Sequence, residues 1–400
     1  MFTSKNQTKT IVIFLVLLTL IKGVLFAVVV PTLEIPDENR YIENIKLLAD
    51  HKLPYFEVES ATGHPVLFEV IALPFFSIAN SINEESGLLA VRFLGILLLC
   101  ITVWLSYLSA IEIFPSDNFM HILVPLLITL NPQVTFITAA VNSDGLLILL
   151  FSAFIYFILR IIMGKISLLN LAAITLILAA GFLTKERFAV AIPILIITLI
   201  YKLIKASSQE NSKVRILFNK FAIGAYGLAA VILISIFWSK IADYFSKAFI
   251  FVKYELTAPH VFLSQMFTQF WGDFAWLQNR LPDNIYLALA IFCLLAFIVL
   301  ALVFLFAKKA YFDKSQQFVL TILLLCIIFT SIVIYVYQLR GASAQGRYFF
   351  IVITPITILF ALGLKPLLHK FQKTGLSAVF LALSALNIYS LLWVIFPFHY

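Results

Sequence analysis

Apolar runs of roughly bilayer-crossing length recur along the whole 400-residue chain, at 11–30, 88–113, 119–138, 144–163, 168–184, 187–204, 217–238, 284–307, 316–338, 347–366 and 375–397. About 20 apolar residues cross the hydrocarbon core as a helix, and lipid leaves backbone polar groups no partner but each other. The repeated run therefore predicts a bundle of eleven membrane-spanning helices. Composition agrees: 62% of residues are hydrophobic and 12% charged, against roughly 45–50% and about 25% in soluble domains. An ordinary soluble enzyme, a disordered chain and a nucleic-acid binder are excluded. The first run is interrupted only by Lys22-Gly23 and has no clear small-residue cleavage site, so it reads as a retained signal-anchor. Cys100, Cys293 and Cys326 lie inside apolar runs with no disulfide or metal spacing.

The segment 64–80 contains Glu69 and Pro74, and whether it crosses sets the side of every later loop. If it does not cross, 15 basic residues share one side, among them Lys5, Lys9, Arg160, Lys205, Lys213, Lys308, Lys309, Lys365 and Lys373. Only Glu112, Asp117, Glu210 and Asp313 oppose them there. Lys and Arg in short loops mark the cytoplasmic side, so 64–80 is expected to be a re-entrant or interfacial helix on the outer side.

Every polar segment with unusual chemistry then faces outward. Two large loops are expected, 31–87 and 239–283, in a chain that otherwise forms a single transmembrane domain. Tyr41, Ile45 and Leu48 recur at helical spacing, which predicts an amphipathic helix lying on the membrane. Ile241, Tyr244, Ala248 and Phe251 repeat the pattern in the second loop, before an aromatic stretch from Phe267 to Trp276.

Asp37-Glu38 follows Pro36 where the first span emerges, a helix start or a general base at the membrane surface. His64-Pro65 opens the next apolar segment, and Asn142-Ser143-Asp144-Gly145 marks a span end. Lys185-Glu186-Arg187 interrupts an otherwise apolar stretch, and Gln345-Gly346-Arg347-Tyr348 places an arginine where an outer loop enters a span. Arg92 sits near the outer end of another span. Ionisable groups near membrane depth are costly, and arginine suits bidentate phosphate recognition, so these cations point to an anion site. Simple turns and snorkelling side chains are the competing explanation.

Taken in order, these residues resemble the glycosyltransferase C (GT-C) superfamily, especially protein O-mannosyltransferases and lipid A aminoarabinose transferases. They resemble still more a bacterial family of polytopic membrane proteins sharing the elements Pro36–Glu38, His64-Pro65, Asn142–Asp144, Phe270–Gly272 and Gln345–Tyr348. The chain departs from the usual pattern at Val66, where a second proline is common, and at Arg40-Tyr41, where a histidine is common. The resemblance implies an all-α, GT-C-like bundle with outer-side interfacial helices in the bacterial inner membrane, its active site facing the periplasm or exterior. It implies transfer, with inversion, of a sugar from a polyprenyl-phosphate carrier to a glycan, lipid or protein acceptor, beside membrane lipid and without nucleic acid. Asp37 and Glu38 would be catalytic, and Lys185, Arg187, Arg347 and Arg92 would hold the donor phosphate. His64, Asp144, Trp271, Asp273 and Gln345 would bind acceptor or sugar, and a divalent metal is possible.

Two rivals share these features. A transporter or flippase of lipid-linked sugars also needs membrane-depth cations, although no internal repeat is visible and the polar groups gather on one side. A ligase using a polyprenyl-diphosphate donor differs mainly in the carrier.

Overall fold

The computed structural model describes residues 4–50, 65–164, 167–207, 224, 259–307, 312–339, 344–368 and 371–400. His64, the 217–238 run apart from Gly224, the expected helix around 241–251 and the basic residues Lys213, Lys308 and Lys309 lie outside the described residues.

The fold is a helical, polytopic membrane bundle. Helix α1 (Lys5–Val29) starts at a reciprocal cap between Ser4 and Gln7. Then come α2 (Glu38–Ala49), α3 (Leu67–Asn80), α4 (Glu84–Ile113), α5 (Asn118–Thr129), α6 (Pro132–Thr138), α7 (Asp144–Ile162) and α8 (Leu168–Phe182). A 3₁₀ turn, Glu186–Val190, leads into α9 (Ala191–Ser207). Helix α10 (Pro259–Trp271) is followed by a short antiparallel hairpin, β1 (Asp273–Phe274) and β2 (Asn279–Arg280), with Asp273 opposite Arg280. The bundle closes with α11 (Asp283–Leu302), α12 (Lys314–Leu339), a 3₁₀ segment Gly346–Val352 running into α13 (Ile353–Leu368), and α14 (Gln372–Tyr389).

Among the described residues seven helices are long and apolar enough to cross a membrane, or eight if the bent pair α5–α6 is one span. Helices α8 and α9, with 15 and 17 residues, are shorter than those seven. Helix α3 has 14 residues, about 21 Å at ~1.5 Å per residue, short of the ~30 Å hydrocarbon core.

The run 119–138 is not one straight helix. Pro132 supplies no N–H, and α5 and α6 meet at 58°. The carbonyls freed at this break are taken by side chains from distant helices. Lys22 Nζ donates to the Thr129 carbonyl, to the Asn131 carbonyl at 3.4 Å and to Asn387 Oδ1 at 3.0 Å. Asn387 Nδ2 donates to the Leu130 carbonyl at 2.7 Å. The charge that interrupts the first apolar run thus caps a broken helix inside the bundle.

The apolar face of α2 is turned to protein. Tyr41, Ile42 and Ile45 are buried against Phe68, Ala72 and Phe76 of α3 and Val91 of α4, and Leu48 is buried as well. The sequence pattern shows an apolar face but does not say whether lipid or another helix covers it. Close backbone approach fixes the layers at Gly95, where a Cβ would lie 2.1 Å from the Thr138 carbonyl oxygen.

Candidate functional site

The residues singled out in sequence converge where α1 ends and α2 begins. Asp37 occupies the first position before α2 with a left-handed backbone, φ 68° and ψ 0°. Its carboxylate accepts from Arg347 Nη2, and Arg347 Nη1 donates to the Pro36 carbonyl at 3.2 Å. Arg347 stands in the 3₁₀ segment Gly346–Val352. Gly346 lets that backbone press against α10, because a Cβ there would lie 2.5 Å from the Met266 carbonyl oxygen. Its N–H donates to Gln269 Oε1 at 2.7 Å.

Asp144, in the first turn of α7, pairs with Lys185 Nζ at 2.5 Å and lies 3.7 Å from Arg347 Nη1. Asp37, Arg347, Asp144 and Lys185 therefore form a chain of alternating charge. Arg187 extends it: its guanidinium lies 3.7 Å over the Tyr348 ring and has no ion pair among the described residues. Tyr41 completes one wall, with its hydroxyl 2.8 Å from Ser143 Oγ and its ring 5.7 Å from Lys185 Nζ.

Burial differs along the chain. Asp144, Lys185 and Arg347 are buried, whereas the Asp37 side chain is 38% exposed. Partial burial pushes the Asp37 carboxyl up, but the charge and hydrogen bond of Arg347, with Lys185 behind it, outweigh this and hold it below the usual carboxylate range. Hydrogen-bonding capacity is left over here. Asp144 Oδ2, Arg347 Nε, Gln345 Oε1 and Glu69 Oε2 are buried without a hydrogen-bond partner among the described residues. Such atoms are few in folded proteins, and four of them occur here in one region.

Glu38 and Arg92 stand apart from this chain, which corrects the expectation that both face substrate. Arg92 donates Nε and Nη2 to the Glu38 carboxylate at 2.9 and 2.8 Å. Its remaining donors go to the carbonyls of Ala27, Val30 and Pro31 at 2.9, 2.6 and 2.9 Å. Glu38 also accepts from the backbone N–H of Leu33 and Val141, at 2.8 and 2.9 Å. The pair is fully buried and fully bonded, tying the end of α1 to α2, α4 and the start of α7. Arg92 has no donor left for a phosphate.

The aromatic stretch divides in the same way. Trp271 is buried in the core and packs at 5.6 Å on Phe270. Asp273 is held by its backbone, which exchanges two hydrogen bonds with the Gln133 amide at 2.9 and 3.0 Å. Its Oδ1 has no partner, and burial pushes its carboxyl up to about 6 against the opposing pull of Arg280. Gln345 lies beside Arg347.

Tyr41, Asn44, Glu69 and Gln269 are site residues to which sequence reasoning gave no place in the site. Glu69 Oε1 accepts from Asn44 Nδ2 at 2.9 Å, and both residues are buried. The available signal was a polar side chain on an otherwise apolar helix face.

No three His, Cys, Asp or Glu side chains come together among the described residues. Asp37 and Asp144, the carboxylates a divalent ion would take, are each already paired with a cation. These residues do not fit a metal site.

No family model matches the sequence, and no curated protein matches it. Solved structures do match in fold. The ArnT of Cupriavidus metallidurans bound to undecaprenyl phosphate aligns with a TM-score of 0.51 and 16% identity, over 94% of this chain and 64% of that one. The apo oligosaccharyltransferase of Archaeoglobus fulgidus aligns at 0.57 and 13% identity, over 98% of this chain and 55% of that one. The same archaeal enzyme, AglB, in complex with an inhibitory peptide and a dolichol-phosphate, aligns at 0.56 and 12% identity. The chain thus shares the membrane-bundle fold of these proteins and spans between about half and two thirds of their length.

Proposed function

We propose that this chain is an integral-membrane glycosyltransferase. It moves a sugar from a polyprenyl-phosphate carrier to an acceptor on the non-cytoplasmic side, with inversion at the anomeric carbon. The observation that carries this reading is the chain Asp37–Arg347–Asp144–Lys185, with Arg187 beside it and unpartnered donor and acceptor atoms within it. Two neighbours in fold were solved with undecaprenyl phosphate and with a dolichol-phosphate, which supports a lipid phosphate as ligand. Nucleotide sugars are cytoplasmic, so transfer on the other face needs a lipid-borne donor.

Asp37 takes the proton of the acceptor hydroxyl as that oxygen bonds to the anomeric carbon. The bond from that carbon to the phosphate oxygen breaks, and its electron pair leaves with polyprenyl phosphate. The phosphate goes from a diester with one negative charge to a monoester with more. Arg347, Lys185 and Arg187 meet the added charge, and interactions that strengthen toward the transition state are those that accelerate chemistry. Asp144 holds Lys185 and Arg347 in place, and Gln345 lies beside that grip. Glu38 and Arg92 position the loop that carries Asp37.

The Asp37–Arg347 bond supports an order of events. A phosphate that takes Arg347 releases Asp37 and removes the cation that depresses its basicity. The base becomes effective once the donor is seated.

Asp37→Asn keeps the shape and loses the base. It is expected to bind polyprenyl-phosphate-linked sugar and to transfer it at least about a hundredfold more slowly, since a general base contributes ~10²–10⁴-fold. Transfer and donor binding are measured on the same purified protein. Turnover near wild type in Asp37→Asn removes the base role and leaves Asp37 as a helix start.

A further inference from the structure

Among the described residues five that are not glycine have a left-handed backbone: Leu33, Asp37, Ala275, Trp276 and Leu277, with φ of 75°, 68°, 46°, 55° and 65°. Side chains disfavour this region, and such residues persist where surrounding contacts impose them, often at functional sites. All five lie in two segments, and the two segments are joined. Trp276 Nε1 donates to the Leu33 carbonyl at 2.8 Å, four residues before Asp37.

The hairpin is fixed at its base. Gln133 holds the Asp273 backbone, the Tyr286 hydroxyl donates to the Gly272 carbonyl at 2.5 Å, and Asn279 Nδ2 donates to the Val394 carbonyl at 2.6 Å. The tip is different. Trp276 is 42% exposed, and no aromatic ring or cation stacks on it among the described residues. A base held by hydrogen bonds, a left-handed tip and an anchored indole N–H hold the ring in one orientation with part of it exposed.

We propose that Trp276 is a stacking platform for the apolar C–H face of a pyranose ring at the mouth of the Asp37 site. The inference rests on the glycosyltransferase reading and deepens it by placing a sugar. Carbohydrate fits better than lipid. A tryptophan of the interfacial belt keeps its N–H toward headgroups and water. Here the N–H is given to the loop that carries the base, and only the ring is left to bind. The ring belongs either to the donor sugar or to a carbohydrate acceptor.

The test uses the full chain in vesicles, with Trp276→Leu and Trp276→Phe. Dissociation constants for a polyprenyl-phosphoryl hexose and for a methyl hexopyranoside are measured separately, beside steady-state transfer. An aromatic contact of this kind corresponds to about three- to tenfold in affinity. Trp276→Leu is expected to weaken one of the two ligands by about that factor, with the effect in KM rather than kcat, and Trp276→Phe to restore most of it. The ligand that moves identifies the source of the ring. Unaltered constants for both ligands in folded Trp276→Leu protein overturn the platform. So does a Trp276→Phe protein as weak as Trp276→Leu, since the N–H latch alone then matters. Trp276-dependent sugar binding by a wild-type protein that transfers nothing upholds the platform and overturns the glycosyltransferase reading.

Discussion

Asp37 and Glu38 are neighbours in sequence and opposites in structure. Glu38 is fully buried, and its carboxylate receives Arg92 through two donors and two backbone N–H groups besides. Asp37 is partly exposed and receives Arg347, whose Nε is left without a partner. Both are carboxylate–guanidinium pairs between the start of α2 and a distant segment. One has spent every bond it has on the fold. The other is held by a single side chain, the one that the proposed donor phosphate would take. Completeness of bonding, more than charge or depth, separates the pair that holds the loop from the pair that can act.

The largest expected effect breaks the saturated pair. Arg92→Leu leaves Glu38 buried without its cation, and removing one partner of a buried pair costs about 3–5 kcal/mol. The carbonyls of Ala27, Val30 and Pro31 lose their donor as well. A sharp fall in melting temperature and in yield of folded protein in detergent is expected. The double variant Arg92→Leu with Glu38→Leu is expected to recover part of the loss, because no uncompensated charge remains. If Arg92→Leu melts like wild type and instead loses donor affinity, Arg92 belongs with the phosphate-binding cations after all.

A smaller effect is expected at Arg347. Arg347→Lys keeps the charge but loses the fork that reaches Asp37 and the Pro36 carbonyl together. Donor affinity is expected to fall about tenfold, the value of one good charge-assisted hydrogen bond. The protein is expected to stay folded, in contrast to Arg92→Leu. Isothermal titration with polyprenyl-phosphate-linked sugar measures the first and thermal melting the second. Full donor affinity in Arg347→Lys shows that a point charge suffices and that the fork is not read.

Much of this arrangement was legible in the sequence because lipid imposes simple rules. Long apolar runs gave α1, α4, α7, α11, α12 and α14 nearly where they lie. Cations and acids interrupting those runs pointed to Asp37, Asp144, Lys185 and Arg347, since charge near membrane depth needs a reason. Pairing was not legible. Glu38 and Arg92 carry the same local signal as Asp37 and Arg347, and only the three-dimensional structure shows that Arg92 is consumed by helix-end carbonyls. Lys22 is the clearest case. Its partners Thr129, Asn131 and Asn387 lie far away in sequence, and the need it meets arises from a helix break that run length alone does not reveal. Trp271 and Trp276 share one aromatic stretch, yet Trp271 is core and Trp276 is surface. A two-strand hairpin that starts after Trp271 and carries Trp276 in its turn decides that, and no periodicity marks so short an element.

Asp273 stands between the two pairs and sharpens the comparison. Its backbone is clamped by Gln133 as firmly as Glu38 is held, but its Oδ1 has no partner and Arg280 opposite it is exposed. Burial has raised its carboxyl from the ordinary 3.8 to about 6. Between those values the folded chain holds a proton that the unfolded chain has released. Stability therefore falls as pH rises from about 4 to about 6, and above that range the folded state carries an unpaired buried charge. Asp273→Asn removes the titrating group and keeps the shape. Its melting temperature is expected to exceed that of the wild type near pH 7 and to approach it near pH 4, a shift of a few degrees at most. Melting curves of the two proteins across this range measure it. Parallel pH profiles would mean that Asp273 ionises in the folded chain as it does in water, and that an unfilled bond at that position has no cost.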